Sequence, residues 1–260
     1  DEEQIIVDKK PILRIADLSK GYPGVQALEA FDFTLMPGEI HCIVGENGAG
    51  KSTFIKLLSG AVEPDRGTIY LYDKEYSALR PDEALALGIQ TVYQESILVG
   101  SLSVAENIFL GHEMRNRFGL MDFVSTAKEA EKLLSSLHIR IDPHVLVEAL
   151  STAERQMVGI AKALSTDARV LILDEPTASL SSSETELLLN LLREIKKRGV
   201  GIIYISHHLE EVFEIGDRIT VLKDGNKVGS HVGQDLDQDM LIREMVGRPA
   251  DLFYKKEEVD

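Results

Sequence analysis

Short apolar runs separated by turn-forming residues characterise the first part of the chain. The turn signal Pro64-Asp65-Arg66-Gly67 precedes the last of these runs. Runs of this kind predict β-strands at residues 12–18, 27–35, 40–44 and 68–72. The arrangement predicts an antiparallel layer around the strand at 40–44.

The periodicity becomes helical between Ser103 and about Leu164. Ser103 is a suitable N-cap for a helix that begins at the next residue, and residues 126–137 are amphipathic. We therefore expect an all-helical insertion in this part of the chain.

Strands and helices alternate in the last third. Helices are expected at residues 184–197 and from residue 209, and strands at 170–173, 201–205, 219–222 and 227–231. Such alternation is typical of βαβ crossovers, so we expect a parallel sheet and an α/β fold.

Composition narrows the class of partner. The 260 residues are 44% apolar, which is enough to fill a core, and 43 acidic against 28 basic side chains give a net charge of −15. A charge of this sign repels phosphate backbones, so nucleic acid is not expected as a partner.

The single cysteine and the absence of long apolar stretches indicate the compartment. Cys42 lies in an apolar strand, where a small buried hydrophobe is favoured over a reactive thiol, and this usage fits a reducing cytoplasm. No apolar stretch approaches the roughly 18 residues of a membrane-spanning helix, and the acidic start is unlike a signal peptide. Any membrane association is expected to come through a partner.

A complete phosphate-binding loop (P-loop) follows the strand at 40–44. Its glycines let successive N–H groups point at phosphate oxygens. Lys51 would reach the β- and γ-phosphates, Ser52 would hold Mg²⁺, and Thr53 begins the helix that follows. A glycine-rich turn with a solvated lysine is the less favoured alternative. The nucleotide-binding segment is Gly45, Glu46, Asn47, Gly48, Ala49, Gly50, Lys51, Ser52 and Thr53.

Two carboxylates end the apolar strand at 170–173. In P-loop proteins the first of them, here Asp174, orders Mg²⁺ and its waters. The adjacent Glu175 can accept a proton from an attacking water as a general base. Alone, such a pair is as often a solvated strand end. Its place downstream of a P-loop favours nucleotide hydrolysis.

Three further residues complete the candidate site. Gln94 follows an apolar strand and is suited to contact Mg²⁺ or the lytic water, unless it is a plain polar loop residue. His207 follows the strand at 201–205 and is suited to hydrogen-bond the γ-phosphate, with a plain surface histidine, like His208 beside it, as the alternative. Tyr22 offers a ring for stacking adenine, although a turn tyrosine is the commoner case.

The order of these motifs resembles the ATP-binding-cassette (ABC) ATPases over residues 12–250. The resemblance implies a P-loop NTPase (RecA-like) core, an antiparallel β subdomain and an α-helical subdomain at about 95–165. It also implies dimers in which each ATP lies between one P-loop and the signature of the other subunit, so that Ser151 contacts nucleotide. Residues 1–11 are expected to form an N-terminal extension, and 251–260 a charged tail or the start of a linker.

Three segments are similar to the first ATPase half of bacterial ribose-, galactose- and xylose-type importers: 103–111, 155–164 and 244–249. The resemblance implies a permease, a second ATPase half with an intact signature and, indirectly, a periplasmic or extracellular sugar-binding protein. It places the protein peripherally on the cytoplasmic face of the cell membrane. A soluble ABC ATPase acting on nucleic acid or ribosomes, and a regulatory module with little turnover, are the alternatives.

The signature segment departs from the family pattern Leu-Ser-Gly-Gly-Gln. This chain has Leu150-Ser151-Thr152-Ala153-Glu154, so side chains replace both glycines and a negative charge is added. Ser181 also stands where the family often has Asp. We expect a competent P-loop and a weak signature.

An apolar cluster after Gln94 is a candidate contact for the permease. Its members are Leu98, Val99, Leu102, Val104 and Ile108. Burial in the subdomain core is an equally favoured interpretation of Val104 and Ile108.

Overall fold

The computed structural model describes residues 10–93, 98–233 and 236–246. Gln94, most of the N-terminal extension and the charged tail lie outside these ranges. The strands are β1 (Leu13–Tyr22), β2 (Val25–Leu35), β3 (Ile40–Val44), β4 (Arg66–Leu71), β5 (Lys74–Tyr76), β6 (Ile89–Val92), β7 (Val170–Asp174), β8 (Gly201–Ile205), β9 (Arg218–Lys223) and β10 (Asn226–Val232). The α-helices are α1 (Lys51–Leu58), α2 (Pro81–Ala86), α3 (Val104–Ile108), α4 (Phe123–Ser136), α5 (Thr152–Leu164), α6 (Ser182–Lys197), α7 (Leu209–Ile215) and α8 (Gln238–Val246).

An antiparallel sheet of four strands has the order β2-β1-β4-β5. Apolar side chains on its inner face pack against α1, where the Phe54 ring lies 5.0 Å from Phe31 and 5.2 Å from Phe33, measured between centroids. These aromatic contacts join the sheet to the helix that follows the P-loop. The expected antiparallel layer is thus confirmed.

The second sheet has six strands in the order β10-β9-β3-β8-β7-β6. Strands β9, β3, β8, β7 and β6 pair in parallel, and β10 pairs antiparallel with β9. Because parallel strands end at the same edge, this sheet brings the P-loop after β3 to the same side as Asp174 and His207. Cys42 in β3 is fully buried, as expected for a small hydrophobe.

The inserted segment between β6 and β7 is not helical throughout. Helices α3, α4 and α5 pack together, but an isolated antiparallel bridge joins Arg115 to Met121, and another joins Ser103 to Leu146. Gly119 in the first connection has a φ of +78°, which favours a turn over helix continuation. The short elements β5 and α2 were not predicted.

Some of the expected permease contacts are core residues. Val104 and Ile108 are fully buried, so the core interpretation is confirmed for both. Leu98 is partly buried against the same core, whereas Val99 is 39% exposed. In the described residues no helix is both long and apolar enough to cross a membrane.

Candidate functional site

The P-loop joins β3 to α1, and two of its glycines lie where no side chain fits. A Cβ at Gly45 would stand 2.2 Å from the carbonyl oxygen of Leu222, and one at Gly50 would stand 2.5 Å from that of Ala27. Gly50 also has a φ of +110°, which L side chains rarely adopt. The P-loop therefore packs directly against neighbouring strands. Glycine is required at these two positions because a side chain would clash with the backbone of those strands.

The loop and the end of β7 line one pocket of about 520 Å³. Ala27, on β2, is the lining residue that the sequence did not predict; its small side chain carries no chemical signal. The predicted residues that line it are Tyr22, Asn47, Gly48, Gly50, Lys51, Ser52, Thr53, Asp174 and Glu175. The pocket joins the predicted nucleotide-binding segment to both predicted carboxylates.

Lys51 is the buried cation of this pocket, with only 8% of the residue exposed. Its Nζ donates hydrogen bonds to the carbonyl oxygens of Gly45, at 2.7 Å, and Glu46, at 3.0 Å. Burial lowers the pKa of Lys51, while the charges of Glu175 and Asp174 oppose that shift. The ammonium group is thus oriented by the loop, in a site where an anionic ligand would stabilise its charge.

The pKa of the Asp174 carboxyl is shifted in the opposite direction to that of Lys51. Burial raises its pKa, and the adjacent Glu175 raises it further, whereas Lys51 lowers it. A cation beside Asp174 would relieve both effects. Mg²⁺ fits, because it takes few protein oxygens and keeps waters and phosphate ligands. Among the described residues no group of three or more His, Cys, Asp or Glu side chains is arranged so that it could hold a metal ion by itself.

Glu175 is held in an unusual backbone conformation. Its φ is +46°, in the left-handed region that costs a non-glycine residue of order 1 kcal/mol or more. The Glu175 N–H donates to the carbonyl oxygen of Ile205, at 2.9 Å, which ties the end of β7 to the end of β8. Six described non-glycine residues have a positive φ, and Glu175 is the one among them that lines this pocket.

His207 lies against the same carboxylate. Its Nδ1 is 3.2 Å from Glu175 Oε1, and its side chain is 52% exposed. The His208 ring lies 4.1 Å from the His207 ring, between centroids, with the two ring planes tilted by 37°. The sequence predicted both His207 and Glu175, but their direct contact is visible only in the structure.

Ser151 does not line the P-loop pocket; it caps α5. Its Oγ accepts the Glu154 N–H at 3.2 Å, and its own N–H donates to Glu154 Oε2 at 2.8 Å. This reciprocal capping box satisfies two N–H groups at the helix start. A role for Ser151 at nucleotide thus requires a second ATPase unit, as the family resemblance implies.

The chain belongs to the ABC transporter family. The family model described as "ABC transporter" matches residues 28–178, which include the P-loop, the signature segment and both carboxylates of the pocket. The resemblance that the motifs indicated is thereby confirmed.

Several curated relatives are named ribose import ATP-binding proteins. A ribose import ATP-binding protein, RbsA 1, of Rubrobacter xylanophilus is 52% identical over 92% of this chain and 48% of its own length. RbsA 1 of Rhizobium meliloti is 45% identical over 96% of this chain and 50% of its own. The chain thus spans about half the length of the curated relatives it matches.

Solved structures confirm the fold. The ATP-binding cassette MJ1267, in its ADP conformation, superposes with a TM-score of 0.80 at 23% identity, covering 92% of this chain and 99% of its own. CbiO1 of Clostridium perfringens, part of the transporter complex cbiONQ, gives 0.77 at 26% identity, covering 94% and 98%. The α/β P-loop fold with its added subdomains is therefore shared with ABC ATPases.

Proposed function

We propose that this chain is an ATP-binding and ATP-hydrolysing unit that powers sugar import through a membrane permease. The observation that carries the proposal is the single pocket in which the P-loop faces Asp174 and Glu175. A phosphate cradle opposite a metal-ordering acid and a general base is the arrangement that nucleotide hydrolysis requires.

Each residue of the site has a separate proposed role in ATP binding or hydrolysis. The P-loop amides and Lys51 bind the phosphates, and Ser52 with Asp174 would hold Mg²⁺, which supplies charge neutralisation when bound. Glu175 takes a proton from the attacking water. His207 contacts the Glu175 carboxylate at 3.2 Å, and its proposed role is to donate a hydrogen bond to the γ-phosphate. Gln94 completes this set by family resemblance.

The transported solute in this proposal is a monosaccharide, with ribose first among the candidates. The support comes from the relatives, whose names specify ribose import at 44–52% identity in several bacteria. These names do not favour the nucleic-acid or regulatory alternatives. The partners proposed are permease subunits, a second ATPase half and, indirectly, a sugar-binding protein, with the chain peripheral on the cytoplasmic face of the cell membrane.

ATP titration into the chain tests the nucleotide site, and Tyr22 provides the sharpest variant. Tyr22 lines the pocket and is 40% exposed, and the Lys20 ammonium lies 5.9 Å from the centroid of its ring. We expect Tyr22→Ala to weaken ATP binding by roughly 0.5–1.5 kcal/mol and Tyr22→Phe to leave it nearly unchanged. Isothermal titration calorimetry measures both variants.

The wild-type titration tests the proposed function, and the titrations of the two variants test the role of the Tyr22 ring. Wild-type protein that does not bind MgATP would refute the proposed function itself. Equal weakening in Tyr22→Phe and Tyr22→Ala would instead show that the hydroxyl, and not the ring face, contacts nucleotide.

The exposed apolar residues at 118–124 are the better candidate for the permease contact. Phe118, Leu120, Phe123 and Val124 are 73%, 66%, 57% and 80% exposed. The Asn116 side chain accepts the N–H groups of Phe118 and Leu120 and so fixes the tip of the connection. Four exposed large apolar side chains within seven residues are typical of an interaction surface.

We expect Phe118→Asp combined with Leu120→Asp to reduce sugar transport at least about tenfold, since a desolvated charge costs more than 1.4 kcal/mol, while ATP binding remains normal. Transport into vesicles and ATP titration are the paired measurements. Val228→Asp, at an exposed apolar position on β10, is the matched control. Wild-type transport in the double variant would assign the contact elsewhere.

A further inference from the structure

One carboxylate behind the site accepts hydrogen bonds from three different hydroxyl groups. Oε2 of Glu211, on α7, accepts from Tyr204 Oη at 2.6 Å, Thr177 Oγ1 at 2.8 Å and Ser206 Oγ at 3.3 Å. The three donors come from β8, from the segment after β7 and from the segment after β8. A single side chain therefore joins three parts of the main sheet edge.

The three hydroxyl donors are buried, and each must donate its proton to Glu211. Tyr204 and Ser206 have no exposed surface, and Thr177 is 4% exposed. A carboxylate only accepts hydrogen bonds, so each hydroxyl must point its proton at Glu211. Burial and the charge of Glu211 raise the pKa of Tyr204, which keeps that hydroxyl protonated as a donor. Bonds to a charged acceptor in a buried setting are stronger than ordinary ones.

The donors stand next to the residues that the proposed reaction uses. Thr177 follows Glu175 by two residues, and Ser206 directly precedes His207. Ser206 Oγ also accepts the backbone N–H of His208, at 3.0 Å, while it donates to Glu211. The contact between His207 and Glu175 closes a ring that runs through both loops and returns to Glu211.

We propose that Glu211 is a positioning residue for ATP hydrolysis, which fixes the loop that carries Glu175 against the loop that carries His207. The inference rests on the proposed function, because it assigns Glu211 a part in that same site. Glu211 does not line the nucleotide pocket and touches no reacting atom. It acts through the geometry of Glu175 and His207, and a displacement of such groups by 1 Å can cost up to about 10²-fold in rate.

The test is steady-state ATP hydrolysis by the assembled transporter with Glu211→Gln. Glutamine keeps the size of the side chain but replaces the charged acceptor with a neutral amide. We expect kcat to fall roughly tenfold, with the KM for ATP and the ATP dissociation constant unchanged. Glu210→Gln, at the exposed neighbouring position of α7, is the matched control and should behave as wild type.

A double variant distinguishes positioning from a general structural role. In a Glu175→Gln background the carboxylate to be positioned is already gone and only the positioning of His207 remains, so adding Glu211→Gln should lower the residual rate by a smaller factor than it lowers the wild-type rate. If Glu211→Gln acted only through general structure, its rate loss would multiply in full with the rate loss of Glu175→Gln. Tyr204→Phe and Thr177→Val each remove one donor while keeping shape, and each should reproduce part of the loss even if Glu211→Gln folds poorly.

The outcomes separate the two proposals. A wild-type kcat in Glu211→Gln, a loss of ATP affinity equal to the loss of kcat, or full multiplication in the double variant would overturn the positioning role. Wild-type transporter without any ATP hydrolysis would overturn the proposed function instead.

Discussion

Replacing Glu175 with glutamine is expected to lower ATP turnover by roughly 10²- to 10⁴-fold, the usual contribution of a positioned general base. ATP binding should remain, because Glu175 lies opposite the phosphate-binding loop and supplies none of its N–H groups. The variant should therefore accumulate bound, unhydrolysed ATP.

The structure gives this expectation its physical basis. The left-handed backbone of Glu175 is fixed by the hydrogen bond to Ile205, and its side chain contacts His207. The carboxylate is thus pre-positioned, and glutamine keeps its shape while losing the capacity to take a proton. A rate loss with unchanged binding follows from removing only that capacity.

Hydrolysis and ATP binding by the assembled transporter are the measurements for this variant. Glu186→Gln changes an exposed carboxylate on α6 and serves as the control. Turnover in Glu175→Gln equal to that of the control would mean that another group takes the proton.

The candidate pocket was largely predictable from sequence because its parts are local. The glycine spacing of the P-loop and the run of apolar residues before Asp174 each carry their signal within about ten residues. The parallel sheet then brings these local signals to one edge, as the alternation of strands and helices indicated.

The remaining features depend on contacts between residues distant in sequence. Glu211 looks like one more acidic residue of an exposed helix, and only the packing of α7 against β8 brings Thr177 and Tyr204 to it. Val104 and Ile108 are apolar in any interpretation, and their burial follows from how α4 and α5 pack. Sequence periodicity identifies the apolar face of a helix but does not show whether other parts of the protein pack against it.

The second large effect concerns the signature at the start of α5. Thr152 and Ala153 stand where the family signature has glycines, and the Glu154 carboxylate accepts the N–H of Ser151. We propose that a pair of these chains places each ATP against a poor signature, so that an efficient site needs a partner half with glycines there. The isolated chain should then dimerise weakly with ATP and hydrolyse it slowly.

Restoring the family signature should accelerate the isolated chain. Combining Thr152→Gly, Ala153→Gly and Glu154→Gln opens the backbone to the phosphate and removes the charge, while glutamine preserves the capping box with Ser151. We expect turnover to rise by roughly 10²-fold, the contribution of one well-placed backbone donor to a developing charge. Glu154→Gln alone is the control that separates the charge from the glycines.

The most direct measurement of this account is the ATPase rate of the isolated chain as a function of its concentration, for the wild type and the restored triple variant. We expect a slow rate per chain in the wild type, and in the restored variant a rate per chain that rises with concentration until dimers saturate. A wild-type chain that dimerises with ATP and hydrolyses it as fast as the restored variant would contradict the account.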